Sequence, residues 1–385
     1  MNDPLRVGLV IKQFSLSVGG AERHSVVLAR ELLRLGHEVH VFAREEGREK
    51  SVPVHFHPVV ARKRSGARKI LSFAQGAREV IGGVDLDVVH GLTQIWPQDV
   101  HRAGGGVHRW WFRQKYPNRF FRFWARLTPK EIAQHRVEEE IYKEGQYGFI
   151  TTNSELVRLH LMDEYAVSGD RVEVVRNGFD SDLFGPHVRK SFREEIRHEL
   201  GLDPLDAPLL VFASNNFGRK GLGVLLRAMA GDSHSPIQLA VAGAGKVRAF
   251  QRLAQSLGIA QRVRFLGRVD RVERIYAAGD AFVLPTLHDP FANVCLEAMA
   301  CGLPVITTRT NGASEIIEPG ASGEILSDPL DIEALRRAIA SVLGDPEKTR
   351  RMGDRAASTV ASFTPEANAR QNVDIYRKAM ALRVD

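Results

Sequence analysis

LLVFASNNFGRKGLGVLLRAMA, residues 209–230, is the stretch whose reading decides the fold. Residues 209–213 form a short apolar run without polar alternation, as in a strand covered on both faces. A turn of small and polar residues follows, then helical spacing over 220–230. The unit repeats downstream. Strands are expected at 239–242, 263–266, 281–284 and 305–307, with helices at 247–257, 272–278 and 293–300 between them. Strands alternating with helices indicate a parallel, doubly wound α/β sheet. Three further helices are expected near 331–343, 346–361 and 366–383.

The upstream half repeats the pattern less clearly. An apolar run at 7–11 leads into a turn of small residues at 15–20 and a helical stretch over 21–35, which Gly36 stops. Further strands are expected at 39–42, 87–90, 149–152 and 172–175. The expected division is a first domain at 1–180, a connection at 181–207 (the charged stretch 189–199, with Pro204 and Pro208), and a second domain at 208–365. The last helix, 366–385, is expected to pack back on the first domain.

At 385 residues the chain is too long for one ordinary domain. Its 44% hydrophobic and 26% charged residues exclude wholesale disorder. No apolar run approaches the roughly 18 residues of a membrane span, and the run at 7–11 is too short for a signal peptide. Two cysteines, Cys295 and Cys301, make no disulfide framework and suit a reducing cytoplasm.

The formal charge of +7 is concentrated in one place. Residues 101–130 hold Arg102, Arg109, Arg113, Lys115, Arg119, Arg122, Arg126 and Lys130 and no acid. Trp110, Trp111 and Trp124 share this segment with Phe112, Tyr116, Phe120, Phe121 and Phe123. Cations interleaved with large aromatics suit an anionic membrane surface. A covered helix with a solvated basic face and a single-stranded nucleic-acid surface are the alternatives. The membrane reading assigns contact to Arg109, Trp110, Trp111, Arg113, Lys115, Arg119, Arg122, Trp124 and Arg126, with no nucleic-acid partner.

Ligands of such sheets bind at the carboxyl ends of the strands. Arg219 and Lys220 follow one strand and precede a helix, whose N-terminus favours an anion. Two adjacent cations there suit a pyrophosphate: a unit charge pair at ~4 Å contributes about 4 kcal/mol at an effective dielectric near 20. The stretch 285–297 follows another strand and carries two carboxylates, Asp289 and Glu297, that could accept sugar hydroxyls, with the backbone of Phe291, Ala292 and Asn293 beside them. Read alone, Asp289 could be a turn or cap residue and Glu297 a surface position.

LPTLHDPFANVCLEAMACGLPVITT at 284–308, SNNFGRKG at 214–221 and RNGFDSDLF at 176–184 together resemble the retaining glycosyltransferases of family 4. The resemblance runs from Val18–Gly20 to the last helices. It implies the GT-B fold, two Rossmann-like domains facing across a cleft, the first binding acceptor and the second nucleotide sugar. SNNFGRKG, HRAGGGVHRWW at 101–111 and the aromatic-basic tract extend the likeness to lipopolysaccharide core glucosyltransferases that add the first glucose to an inner-core heptose. The resemblance implies that Arg219 and Lys220 hold the donor diphosphate, Glu297 the ribose and Asp289 the transferred sugar, assisted by Phe291 to Asn293. Gly267 and Arg268 are to border the nucleobase, and Gly19 and Gly20 the donor phosphate and acceptor. Asp289 stands where the family usually has Glu. The Gly104–Gly106 tract lacks the acid of related core enzymes, and His108 is the substitute polar group near the reacting carbon.

The expected activity is metal-independent transfer of glucose from UDP-glucose to a lipopolysaccharide core heptose, with no cofactor, by a cytoplasmic protein on the inner face of the plasma membrane. Asp85-Leu-Asp87 and Asp180-Ser-Asp182 are not read as metal sites, and the histidines include no HExxH and no Cys/His grouping. A family 4 enzyme acting on another surface glycan or capsule intermediate is the main alternative. A GT-B epimerase would release isomer or free sugar without acceptor, a phosphorylase would need a pyridoxal cofactor, and a nucleic-acid binder would ignore nucleotide sugars. Gly243-Ala-Gly245 is half a dinucleotide fingerprint and no more, and the lack of a GxGxxG after any strand argues against an NAD enzyme.

Overall fold

A computed structural model describes residues 3–16, 19–46, 52–60, 66–202, 207–232 and 235–382. Ser17, Val18 and Pro204, which figure in the sequence reading, lie outside the described residues. The chain divides into two compact units: unit 1 comprises Met1–Gly178 and Pro365–Asp385, and unit 2 comprises Phe179–Thr364. The fold is α/β, with two Rossmann-like parallel sheets.

Unit 2 holds a six-stranded parallel sheet, in the order Val263–Gly267, Gln238–Ala242, Leu209–Ala213, Ala281–Leu284, Val305–Thr308, Gly323–Leu326. Leu209 to Phe212 and Ala281 to Leu284 are fully buried, which is why both strands read as unbroken apolar runs. The chain winds outward from Leu209–Ala213 in one direction, returns beside it at Ala281–Leu284, and continues in the other. This reversal is the topological switch point, where doubly wound sheets bind ligands. The turn entering the helix Leu222–Ala230 depends on Gly221, at φ +80; a Cβ there would collide with the carbonyl oxygen of Pro285.

Unit 1 holds a seven-stranded sheet, in the order His55–Pro58, Glu38–Ala43, Arg6–Val10, Val88–Gly91, Gln98–Arg102, Tyr147–Thr152, Val172–Val174. The helix Pro365–Ala381 covers it: Ala369, Val373, Ile375 and Tyr376 share a core with Val7, Leu9, Val26 and Val88. Tyr376 Oη lies 2.8 Å from His90 Nδ1. The strand Gln98–Arg102 is absent from the sequence reading because QDVHR carries no apolar run. Two of its polar side chains bond inside the unit, Gln98 Nε2 donating to Ile95 O at 2.8 Å and Asp99 Oδ2 accepting from Val89 N at 2.7 Å, while Gln98 Oε1 is buried without a partner.

The expected connection at 181–207 falls, in its described residues 181–202 and 207, on the unit 2 side of a division that comes between Gly178 and Phe179. There the helix Pro186–Glu199 packs on the helix Val272–Ala278. The arginines of this charged stretch converge on one half-buried acid, Asp280. Arg193 Nη2 and Arg197 Nη1 lie 2.7 and 3.3 Å from Asp280, and Arg189 Nη1 donates to Gly279 O at 2.7 Å. No helix among the described residues is long and apolar enough to cross a membrane.

Candidate active site

The carboxyl ends of the two strands at the unit 2 switch point bring together residues nearly seventy positions apart in sequence. Arg219 and Lys220 lie in the turn just before the Gly221 cap. Arg219 O accepts from Leu287 N at 2.9 Å and from Thr286 Oγ1 at 3.1 Å, tying the basic turn to the loop after Ala281–Leu284. Lys220 is buried and its ammonium contacts Asp289 Oδ2. Burial first, then the neighbouring Arg219 charge, lowers the Lys220 pKa to about 7; the Asp289 carboxylate works in the opposite direction. Burial also lowers the Arg219 pKa, and its Nε is buried without a hydrogen-bond partner.

Asp289 is held from three sides. Its backbone N and O pair with Thr310 O and Gly312 N at 3.0 and 2.9 Å, and its Oδ1 accepts from Phe291 N at 3.1 Å. Asn311 Oδ1 takes Ala292 N at 3.1 Å and Ala313 N at 3.1 Å, and Asn311 Nδ2 donates to Thr307 Oγ1 at 3.0 Å. The amides of Phe291 and Ala292, expected to face a ligand, are therefore taken by Asp289 of the same loop and by Asn311. Asn311, which does this, was missed because it follows a different strand. Glu297 Oε2 lies 3.4 Å from the buried Tyr276 hydroxyl, one turn into the helix Asn293–Ala300. Gly267, at φ +68, ends its strand, and Arg268 beside it is 72% exposed with only a loose 3.8 Å pairing to Asp270.

Unit 1 gathers a different set at its strand ends. Gly19 caps the helix Gly20–Arg34. Arg102 Nη2 donates to Asn177 Oδ1 at 2.6 Å, and its guanidinium fills the space a side chain at Gly104 would need. Burial lowers Arg102 to about 10; burial, then the Arg102 charge, drives His101 to about 3, and the same causes push His90 and His24 well below the usual imidazole value. One cation thus sits among neutral imidazoles. Sequence reasoning passed over His101 and Arg102 because their strand went unseen. His108, expected as the polar group near the reacting carbon, has its Nε2 2.6 Å from Glu131 Oε2.

The aromatic-basic segment is split in its roles. Arg109 donates to Glu164 O at 3.1 Å and stacks over Tyr165 at 4.5 Å, Trp110 stacks on His160 at 3.9 Å, and Arg113 pairs with Glu164 at 2.9 Å. Arg122 donates to Tyr116 O and Pro117 O at 2.7 and 2.9 Å. Arg109, Trp110 and Arg122 are partly buried by these contacts, while Arg113 stays exposed beside its carboxylate; Trp111 is half-buried. Lys115, Arg119, Trp124 and Arg126 are exposed. The helix Arg119–Arg126 buries no residue, and Phe120, Phe121, Phe123, Trp124 and Leu127 are each at least half exposed.

Asp85 and Asp87 clasp Arg6, and Asp182 N donates to Asp180 Oδ1 at 3.0 Å. Both cysteines are buried and free, their thiols pushed up to about 12 by burial. A depression of about 1110 Å³ in unit 1 opens beside Pro97, Gln98, Tyr147 and Gly148, at the amino ends of the strands.

A family model described as Glycosyltransferase Family 4 matches residues 18–183, and one described as Glycosyl transferases group 1 matches 192–359. The chain is 29% identical over 265 residues to the D-inositol 3-phosphate glycosyltransferase of Corynebacterium glutamicum, covering 66% of this chain and 62% of that protein. It is 33% identical over 243 residues to D-inositol 3-phosphate glycosyltransferase 2 of Catenulispora acidiphila, covering 59% and 54%. The matched stretch thus spans less than two thirds of either relative. The Corynebacterium efficiens protein of the first name matches over 95% of this chain and 92% of its own length at 26% identity. Among solved structures, WaaG, a glycosyltransferase involved in lipopolysaccharide biosynthesis, superposes with a TM-score of 0.81 at 20% identity, covering 96% of this chain and 99% of its own. Anabaena HepE in complex with UDP-glucose gives 0.72 at 19% identity, covering 96% and 98%. These likenesses fix the fold as GT-B. With one family model on each side of the sequence, the chain belongs to the group 1, family 4 glycosyltransferases.

Proposed function

We propose that the protein is a retaining hexosyltransferase that moves glucose from UDP-glucose to a heptose of lipopolysaccharide core. The observation that carries it is the meeting of Arg219, Lys220 and Asp289 at the unit 2 switch point. A buried guanidinium Nε without a partner and a buried ammonium paired to one carboxylate are groups a diphosphate would complete. Arg219 and Lys220 take up the charge developing on the leaving UDP, without a metal ion. Asp289 and Glu297 accept hydroxyls of the sugar and the ribose, Gly267 and Arg268 border the base, and Gly19 and Gly20 head the helix assigned to phosphate and acceptor. The acceptor hydroxyl attacks on the face the diphosphate leaves, with a donor phosphate oxygen as base, so configuration is kept. Unit 2 is the donor-binding domain, and unit 1 the acceptor-binding domain.

HepE, solved with UDP-glucose, supports the donor and WaaG the acceptor class. The exposed aromatic face of Arg119–Arg126, with Arg119 and Arg126 on its other side, suits the inner surface of an anionic plasma membrane. A second reading has one observation behind it: relatives named for D-inositol 3-phosphate, together with the buried Arg102, favour an acceptor that carries phosphate. The test incubates the protein and UDP-glucose with defective-core lipopolysaccharide or D-inositol 3-phosphate and reads the product anomer by NMR. An α-glucosyl heptose supports the first reading and a glucosylated inositol phosphate the second. Turnover that appears only with added Mg²⁺ or Mn²⁺ removes the metal-independent diphosphate assignment.

A further inference from the structure

Unit 1 contains a side-chain cluster that this chemistry does not use. The helix Pro129–Ile141 begins at Thr128, whose Oγ1 caps it. Glu131, His135 and Glu138 lie at i, i+4 and i+7 and therefore on one face. Glu138 clamps this helix to the start of His108–Lys115: its Oε1 accepts from His108 N at 2.6 Å, and its Oε2 from Arg109 N at 3.1 Å and Tyr165 Oη at 2.6 Å. The clamp holds the His108 imidazole over the Glu131–His135 pair. His108 Nε2 is 2.6 Å from Glu131 Oε2, and the His108 and His135 rings meet edge to face at 5.4 Å. One donor atom from each of the three residues lies within 4.8 Å of the others.

His135 supplies the independent pointer. It is 6% exposed, sits against Phe112 at 5.3 Å, and neither ring nitrogen has a hydrogen-bond partner. A neutral imidazole has one N–H and one lone pair, and buried groups of this kind are nearly always satisfied. A second cluster of the same composition shows the contrast. Glu38, His40 and His55 also group closely, but His40 Nε2 meets Glu38 at 2.9 Å and its Nδ1 meets His57 at 2.9 Å, leaving no nitrogen of that ring unmet.

We propose that His108, Glu131 and His135 bind one divalent transition-metal ion, of the Zn²⁺ class, between the helices His108–Lys115 and Pro129–Ile141. Two imidazoles and a carboxylate suit zinc, cobalt or nickel and not magnesium or calcium, which take oxygen ligands. Three protein ligands leave the fourth position to water. With that position open the site is not of the closed, four-ligand kind, and the ion's part follows from its place. It joins the two helices on either side of Arg119–Arg126, so it fixes both ends of the segment that carries the exposed aromatic residues. Its residues are distinct from those assigned to the diphosphate, so the ion has no part in the leaving-group chemistry.

The test uses the untagged full-length protein, stripped with a chelator and titrated with Co²⁺ alone. One equivalent should bind and give the intense visible bands of a tetrahedral nitrogen- and oxygen-ligated site, which Zn²⁺ then displaces. Loss of an outer partner of a metal ligand costs roughly 10–100-fold in affinity, so His135→Gln and Glu131→Gln should each weaken binding by more than ~100-fold, whereas Glu38→Gln should not change it. Retained UDP-glucose binding and circular dichroism show that the variants are folded. X-ray absorption of the Zn²⁺-loaded wild type, which needs no variant, should give only nitrogen and oxygen ligands with two imidazoles. No stoichiometric uptake by the wild type, uptake unchanged in His135→Gln, or a zinc shell with fewer than two imidazoles overturns the proposal.

Discussion

The strand ends of unit 2 and those of unit 1 hold buried charge in opposite ways. In unit 2 the Lys220 ammonium rests on Asp289, so cation and anion neutralise each other. In unit 1 the Arg102 guanidinium has a neutral partner, Asn177, and imidazoles that its own charge helps to keep unprotonated. A paired cation must give up its carboxylate to take a ligand, and the freed carboxylate can then accept hydroxyls. An unpaired cation retains full attraction for an anion. The first arrangement fits a ligand with both phosphate and sugar hydroxyls, the second a ligand with negative charge alone.

The largest expected effect tests the first arrangement. Losing one donor to a developing oxyanion costs roughly 10²–10³ in kcat, so Arg219→Ala with Lys220→Ala should cost more than ~10³-fold, read by steady-state release of UDP. Native turnover in the double variant would break the comparison at its stronger end. Arg102→Met tests the second. If unit 1 binds an anionic acceptor, KM for acceptor should rise by about 10–100-fold, the weight of a lost charged hydrogen bond at ~1.5–3 kcal/mol, while donor affinity measured by calorimetry stays unchanged.

How far each arrangement was legible follows from the same contrast. The unit 2 groups sit in two contiguous stretches, 214–221 and 285–297, each following an apolar strand that the sequence advertises. The unit 1 groups come from residues 24, 90, 101, 102 and 177, and the strand ahead of His101 and Arg102 is polar in sequence because its side chains pair with neighbours inside the unit. Residues 181–207 misled for a related reason. Arg189, Arg193 and Arg197 resemble a solvated run until Asp280, eighty residues away, is placed beneath them. Which amides remain open to a ligand was also illegible, since Asn311 satisfies Ala292 N from across the sheet.

Smaller effects sharpen the picture. If the donor binds the ammonium form of Lys220, whose pKa is about 7, UDP affinity should fall by up to tenfold per pH unit above 7, with proton uptake on binding rising toward one as pH increases. The sign for folding is the reverse: the unfolded lysine holds its proton to about 10.4, so this residue's contribution to stability increases as pH rises from 7 toward 10. Calorimetry in buffers of different ionisation enthalpy checks the proton, and Lys220→Met should abolish the slope. Phe121→Ser should reduce binding to anionic vesicles by about tenfold, the weight of one ring at ~1.5 kcal/mol, and should leave the thermal midpoint unmoved because Phe121 is not buried. Arg268→Ala should change donor affinity by less than ~3-fold, its one ion pair among the described residues being a long surface one.

The final helix, Pro365–Ala381, belongs to the core that contains the first strand of the chain. Synthesis therefore finishes the two units out of order. The stretch from Phe179 to Thr364 is continuous and can mature on the ribosome as soon as it emerges, while Val7, Leu9 and Val26 wait for residues made more than 340 positions later. A nascent chain arrested before Pro365 should expose that apolar sheet face to chaperones, and a protease pulse during translation should find the earlier-made half digestible after the later-made half has become resistant.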